Sequence, residues 1–296
     1  MITKHPYWLI EKAPDVAILA NMKSLLQNYG LHSICESAQC PNQGKCFARG
    51  TVTFLISGDV CTRDCKFCAV KKGIPFKLDQ REPDNLAAAI GELKLKYVVI
   101  TSVTRDDLSD GGAGHFVRVV NAIRQKTPST IIEVLVPDFQ GSIEAIRQVS
   151  ISSAQIINHN IETVPRLYPE VRNKAGYQRS LKLLEHVKKI GPHIITKSGL
   201  MLGMGEERNE VIDVLADLRD ADCDIVTLGQ YLPPSLSHHP LRRYVPPQEF
   251  EELRKIGLDM GFKGIAAAPF VRSSYDAVRL FLEAKSKETR PDQILL

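Results

Sequence analysis

The chain has 296 residues, of which 44% are hydrophobic and 24% charged, with a formal net charge of +4. That balance suits one large α/β domain or two smaller ones, and it excludes a disordered or low-complexity chain. No apolar run approaches a membrane span, the opening MITKHPYWLIEKAP reads as neither a signal nor a transit peptide, and the small positive excess does not demand nucleic acid. The expected setting is the cytoplasm, with the cysteines reduced and with no nucleic-acid or membrane partner.

In chain order, a helix is predicted over Val16–Asn28, stopped at Gly30. An irregular loop with Pro and Gly follows, carrying Cys35, Cys40 and Cys46 as C-x4-C-x5-C. A buried strand is predicted at Thr51–Ile56, and the loop after it carries Cys61, Cys65 and Cys68 as C-x3-C-x2-C. Short apolar runs then alternate with amphipathic stretches. Strands are expected at Tyr97–Thr101, Ile131–Val136, Ile156–Asn158, Ile194–Met201 and Ile225–Leu228. Helices are expected near Leu86–Leu95, Phe116–Gln125, Ile143–Val149, Ser180–Lys189 and Glu210–Ala221. Six strands in βα alternation predict an α/β fold: a partial (β/α)6 TIM-type barrel with parallel strands, two units short of a full barrel. Beyond a Pro-rich turn come a helix near Pro247–Met260, a short strand near Gly264–Ala268 and a helix from Asp276. The chain thus divides into an N-terminal extension (1–50), a barrel (51–232) and a C-terminal extension (233–296).

Chemistry in parallel α/β folds collects where strands end. Here the strands run into Cys61, into TSVTRDD, into Pro137-Asp138, into NHNIE, into GMGE and into GQY. One polar strand end is commonly a turn or a helix cap. Six in succession, on a barrel that opens with a cysteine loop, point to a shared site.

Six of seven cysteines fall in the two triplets. A disulfide framework would leave Cys223 over, in a chain with ample core. Structural zinc wants four ligands, often two C-x2-C pairs, which two triplets fit poorly. Three thiolates fall one short of filling a four-iron cluster, leaving one iron open. Cys223 follows a predicted helix and reads as a small core residue. His32, His159, His238 and His239 have no metal-ligand spacing.

C-x3-C-x2-C with an aromatic before the last cysteine resembles the signature of radical S-adenosylmethionine (SAM) enzymes. With TSVTRDDLSDGGAGHF, EVLVPDFQG, NHNIETVPRLYPEVR, TKSGLMLGMGE, TLGQYLPPS and VRSSY, the chain resembles the lipoyl synthases over about residues 24 to 280. It departs from that family's pattern at Ala268, before Pro269, and at Pro234.

The resemblance implies two 4Fe-4S clusters. Cys61, Cys65 and Cys68 would hold the one that binds and cleaves SAM. Cys35, Cys40 and Cys46 would hold an auxiliary cluster, with Ser274, the second serine of Arg-Ser-Ser-Tyr, as its fourth and catalytically important ligand. From the residues alone, Ser273 and Ser274 read as a helix N-cap. The implied reaction is sulfur insertion at carbons six and eight of an octanoyl chain on a carrier lysine, with the auxiliary cluster as sulfur source. Implied partners are octanoylated carrier domains (the glycine-cleavage carrier or 2-oxoacid dehydrogenase acyltransferase subunits), an electron donor such as flavodoxin or ferredoxin, and a carrier for cluster repair. Phe67, Thr104, Asn158, Asn160, Glu162 and Arg172 are candidates to contact SAM, with Gly203 and Gly205 letting backbone approach it; for Arg172 a surface salt bridge is the alternative. A biotin-synthase-like enzyme, a radical SAM RNA methyltransferase and a non-catalytic iron–sulfur carrier are the competing readings.

Overall fold

The computed structural model describes residues 5–11 and 13–288. After α1 (Val16–Asn28), the strand β1 (His32–Ser33) leads into two short helices, α2 (Ile34–Ser37) and α3 (Gln43–Ala48). Next come β2 (Thr53–Ile56), the paired β3 (Val60–Cys61) and β4 (Lys71–Lys72), α4 (Glu82–Glu92), β5 (Tyr97–Ser102), α5 (Ala113–Lys126) and β6 (Ile131–Leu135). The chain continues through α6 (Ile143–Ser150), β7 (Ile156–Asn158), α7 (Tyr168–Val171), α8 (Tyr177–Ile190), β8 (Ile195–Leu202), α9 (Arg208–Asp220) and β9 (Ile225–Gln230). It ends with α10 (Pro247–Asp259), β10 (Gly264–Ala267) and α11 (Ala277–Glu288).

One sheet runs β1-β2-β5-β6-β7-β8-β9-β10, parallel throughout except for β1, which is antiparallel to β2. All six predicted strands are present, and the short strand expected beyond them joins the same sheet beside β9 as a seventh parallel member. The sequence places the first cysteine triplet on an irregular loop; the structure folds that loop into α2 and α3. Ser33 caps α2, accepting the Glu36 amide at 3.2 Å.

Parallel strands are covered on both faces, and their near-continuous apolar character follows from that. The outer face contributes Phe54, Ile100, Val134, Ile157 and Val226 to the main core, with helix residues such as Phe116, Val119 and Leu184. The inner face is mixed. A row of registered partners crosses it from Leu55 through Thr101, Leu135, Asn158 and Lys197 to Ile225. Within that face Lys197 Nζ lies 2.9 Å from Glu133 Oε1, both side chains buried, and Asn158 Nδ2 donates to the same oxygen at 2.9 Å.

At the strands' N-terminal ends, α11 closes the interior. Leu280, Phe281 and Ala284 pack on Ile156, Ile195 and Ile225, the first residues of β7, β8 and β9. The opposite end carries the cysteine loop. The edges of the sheet do not pair with each other, so the barrel has a seam. Asn42, between α2 and α3, bridges toward it: its Nδ2 donates to the Phe270 carbonyl at 2.7 Å, across 228 residues. The last eight residues of the expected C-terminal extension lie outside the described ones. No described helix is long and apolar enough to cross a membrane.

Candidate functional site

The loop from Cys61 to Cys68 leaves β2 through Ser57, a non-glycine residue with φ of 68°. The Ser57 amide donates to the buried Glu82 carboxylate at 2.8 Å, and Arg105 Nη1 donates to the Ser57 carbonyl at 3.3 Å. Arg63, between Cys61 and Cys65, sits within the triplet and ties it to two strand ends. Its guanidinium meets Asp106 at 2.7 and 2.9 Å and Asp138 at 2.6 Å. Burial would raise the Asp138 carboxyl, but Arg63 outweighs burial and holds it down at about 2. The Arg63 amide donates to Cys61 Sγ at 3.4 Å. The main chain adds further ties: Thr62 N to Thr104 O, Lys66 N to Val171 O, and His239 N to Lys66 O.

These contacts bring the strand ends to the cysteines. Cys65 lies within electrostatic reach of Arg172, Cys61 and Glu162. Burial raises its thiol and pushes that of Cys68 up to about 12. Buried thiols of this kind become thiolates only when a cation compensates them, and an iron–sulfur cluster supplies that compensation. Among the described residues no three His, Cys, Asp or Glu side chains converge to hold a single metal ion. A cluster asks for a different arrangement, because its ligands are spread over four irons.

Arg172 is buried rather than on a surface salt bridge. Its Nη1 donates to the Asn160 and Ile161 carbonyls at 2.9 and 3.0 Å, while its buried Nε has no partner. Asn160 Nδ2 donates to Glu162 Oε1 at 3.1 Å, and its Oδ1 is buried and unpartnered. Glu162 has φ of 69° and is raised by burial, against the pull of Arg172. Asn160 and Arg172 thus keep unspent polar atoms, and Arg172 and Glu162 lie within electrostatic reach of Cys65, which suits a zwitterionic ligand. Asn158 lies deeper, with Glu133 and Lys197, and its Oδ1 is also unpartnered. Phe67 packs partly buried against the main core. Thr104 contributes its carbonyl, which accepts from Thr62 Oγ1 at 3.0 Å.

The glycine loop has an internal reason for its composition. The Glu206 carboxylate accepts the amides of Gly203, Met204 and Gly205 at 2.6, 2.9 and 3.1 Å. A Cβ on Gly203, where φ is 110°, would lie 2.3 Å from Gln230 Nε2 and 2.6 Å from the Arg243 carbonyl. Close packing of Gln230 therefore requires that glycine, whatever else approaches it.

The second recess is lined by Cys35, Cys40 and Cys46 together with Asn42, Thr53, Arg272, Ser274 and Tyr275. Burial pushes the Cys35 thiol up to about 12 and raises that of Cys46, and Cys35 lies within electrostatic reach of both other thiols. Ser274 is not a helix cap: α11 begins only at Ala277, after Asp276 with φ of 52°. What brings Ser274 here is the approach of its segment to β9. A Cβ on Gly229 would lie 2.0 Å from the Val271 carbonyl, so only glycine admits this crossing. Three thiols and a hydroxyl on one recess match the donors that a four-iron cluster with one oxygen ligand would take.

Cys223 is fully buried, with its thiol pushed up to about 12 by burial. His159 is structural: Nδ1 bonds the Val136 carbonyl and Nε2 bonds Ser180 Oγ, each at 2.8 Å. Sequence reasoning passed over Arg63, Asp106, Asp138, Glu82 and Arg272. The partners of the first four lie tens of residues away, and Arg272 lies far in sequence from the cysteines it stands beside; only the placement of TRDD and PD at strand ends hinted at a role.

A model of the radical SAM superfamily matches residues 55–218. Relatives described as lipoyl synthase cover nearly the whole chain. That of Alkaliphilus metalliredigens is 52% identical over 276 residues, spanning 93% of this chain and 95% of its own. That of Nitrosococcus oceani is 53% identical over 277 residues, spanning 93% and 86%. The chain belongs to the lipoyl synthase family. Membership in this branch of the radical SAM superfamily brings with it a 4Fe-4S cluster and SAM. Among solved structures, methylornithine synthase superposes with a TM-score of 0.55 at 14% identity, covering 80% of this chain and 82% of its own. Coproporphyrinogen III oxidase from Escherichia coli gives 0.54 at 14% identity, over 76% and 57%. At that identity these two structures speak for the fold alone.

Proposed function

We propose that this lipoyl synthase family member inserts two sulfur atoms, at carbons six and eight of a protein-bound octanoyl-lysine, giving lipoyl-lysine. The observation that carries the reading is the recess in which Cys35, Cys40 and Cys46 meet Ser274, in the same barrel that presents Cys61, Cys65 and Cys68. A single-cluster enzyme or a passive iron–sulfur carrier has no use for a second recess with these donors.

Cys61, Cys65 and Cys68 would hold the SAM-binding cluster, and Cys35, Cys40, Cys46 and Ser274 an auxiliary 4Fe-4S cluster. When bound, a reduced cluster with SAM supplies a carbon-centred radical able to take hydrogen from unactivated carbon, chemistry that no side chain provides. The chain's own residues do the rest. Arg172, Glu162 and Asn160 would orient the amino and carboxylate ends of SAM, with Thr104, Asn158 and Phe67 nearby. Gly203 and Gly205 shape the loop at the edge of the site. The barrel wall and α11 keep water out. Ser274 offers an oxygen, a harder donor than thiolate, which a soft iron centre holds less firmly. That property fits a ligand meant to be released when sulfur leaves.

Substrates would be octanoylated carrier domains, of the glycine-cleavage system or of 2-oxoacid dehydrogenases. A flavodoxin- or ferredoxin-type donor would bring electrons, a further carrier would rebuild the auxiliary site, and the setting would be the cytoplasm. The test is anaerobic incubation with SAM, reductant and an octanoyl-lysine peptide, followed by mass spectrometry. Formation of the dithiolated peptide supports the reading; SAM cleavage with no sulfur in the peptide overturns it.

A further inference from the structure

Two arginines stand beside the two cysteine triplets, in opposite electrostatic settings. Arg63 is compensated twice over, by Asp106 and Asp138. Arg272 lines the second recess with Cys35, Cys40, Cys46 and Ser274 and makes no ion pair among the described residues. Its Nη1 donates to the Val271 carbonyl at 2.7 Å and to the Pro269 carbonyl at 3.4 Å. The same nitrogen lies 3.2 Å from where a Cβ on Gly229 would stand, so the guanidinium is folded between the recess and β9.

Withdrawing a guanidinium from water without a carboxylate is costly. Arginine has five N–H donors in a fixed fork, and here two carbonyls engage one nitrogen. The rest of the fork makes no hydrogen bond to a described residue, and the side chain lines the recess. We infer that Arg272 is the counter-cation of the auxiliary cluster and raises its reduction potential, an inference that rests on the ligand assignment proposed above. Positive charge and N–H donors near the sulfurs make the more reduced, more negative state easier to reach. The alternative is a purely local role, in which Arg272 only ties the turn from Pro269 to Val271 together.

The test uses the full chain with Cys61, Cys65 and Cys68 changed to Ala, reconstituted anaerobically with iron and sulfide. Arg272, Arg272→Lys and Arg272→Met forms are compared by iron content and by potentiometric titration followed by electron paramagnetic resonance. The expected result is equal iron in all three, a lower midpoint for Arg272→Met, and a value between for Arg272→Lys. An unchanged midpoint in Arg272→Met at equal iron overturns the inference, as does a Lys form that falls as far as the Met form. If the Met form takes up no iron, the Lys form decides: loading with a lowered midpoint supports the counter-cation role, and failure to load despite a wild-type circular dichroism spectrum assigns Arg272 to shape alone. A separate chain with Cys35, Cys40 and Cys46 changed to Ala tests the ligand assignment. Should it keep all its iron, that assignment fails independently of Arg272.

Discussion

The Ser57 amide and the Glu82 carboxylate, 2.8 Å apart and both buried, fix the point at which the chain leaves β2 for the cysteine loop. The same carboxylate receives His115 Nε2. Arg118 Nη2 lies 3.0 Å from His115 Nδ1, and since arginine only donates, that nitrogen accepts. Nε2 is therefore the nitrogen whose N–H donates to Glu82. Both donors meet the same carboxylate oxygen, so Glu82→Met, which removes that oxygen, leaves the Ser57 amide and His115 Nε2 without an acceptor. The expected cost is about 1–3 kcal/mol, read as a lowered urea midpoint, with weaker SAM binding by equilibrium dialysis. Unchanged values in both would show that the neck of the loop does not depend on this carboxylate.

The two triplets should separate in function. Changing Cys61, Cys65 and Cys68 together to Ala should remove roughly half the iron, since each four-iron cluster accounts for half of the total, and abolish SAM cleavage. Changing Cys35, Cys40 and Cys46 should leave SAM cleavage and stop sulfur insertion. Iron analysis, with quantitation of 5′-deoxyadenosine and of lipoyl product, checks both. Wild-type product from the second variant would place the sulfur source elsewhere.

Ser274→Ala should retain most of the iron and lose full lipoyl formation. Ser274→Cys should bind iron at least as firmly and donate sulfur poorly, because thiolate suits a soft centre better than an oxygen does. Ser273→Ala should be much milder. An anaerobic crystal structure with the Ser274 oxygen beyond bonding distance of iron would refute the assignment.

His159 makes stability depend on pH. Burial lowers it from 6.5 to about 4 in the folded state. Between those values the unfolded chain binds the proton and the folded chain does not, so stability falls as pH drops, by up to about 1.4 kcal/mol per pH unit. Above pH 6.5 the effect vanishes. His159→Gln should flatten that part of the stability profile in urea titrations from pH 7 to 4.5, and an unaltered slope would assign the dependence to other groups.

Gly229→Ala forces a Cβ to within 2.0 Å of the Val271 carbonyl unless the backbone moves. The expected outcome is displacement of the VRSSY segment: iron at the second recess lost or reduced, with SAM cleavage at the first retained. Full iron in this variant would mean that the segment accommodates the methyl group without moving Ser274.

Much of the barrel was legible because strand periodicity and helix amphipathicity are local signals. The strand at Gly264–Ala267 was visible, but its place in the sheet was not: Gly-Ile-Ala-Ala carries no mark of a partner, and pairing with β9 is decided by the fold. The helices α2 and α3 were missed because Pro41 and Gly44 read as loop. The Ser33-x-x-Glu36 capping pattern was there to find, and its first half forms in the structure: Ser33 Oγ accepts the Glu36 amide at 3.2 Å, while the Glu36 carboxylate takes the Ser33 hydroxyl at 3.2 Å in place of the backbone N–H. Cysteine spacing is likewise local and easily read. The position of Ser274 was open only through family resemblance, because no local pattern links it to cysteines more than 200 residues away, and the local pattern it does show, a cap, is not used. Arg63 and Arg272 were invisible for the same reason: their significance lies in what the fold sets opposite them.

The bridge from Asn42 to the Phe270 carbonyl joins the beginning of the chain to nearly its end. A ribosome still making α11 holds a molecule whose N-terminal cysteines lack Ser274 and Arg272 beside them. The second recess therefore takes its final form only after the segment from Arg272 to Tyr275 has been made and has folded back onto the N-terminal cysteines. A molecule truncated before residue 270 would present the barrel and its first cysteine loop while lacking part of the wall of the other recess.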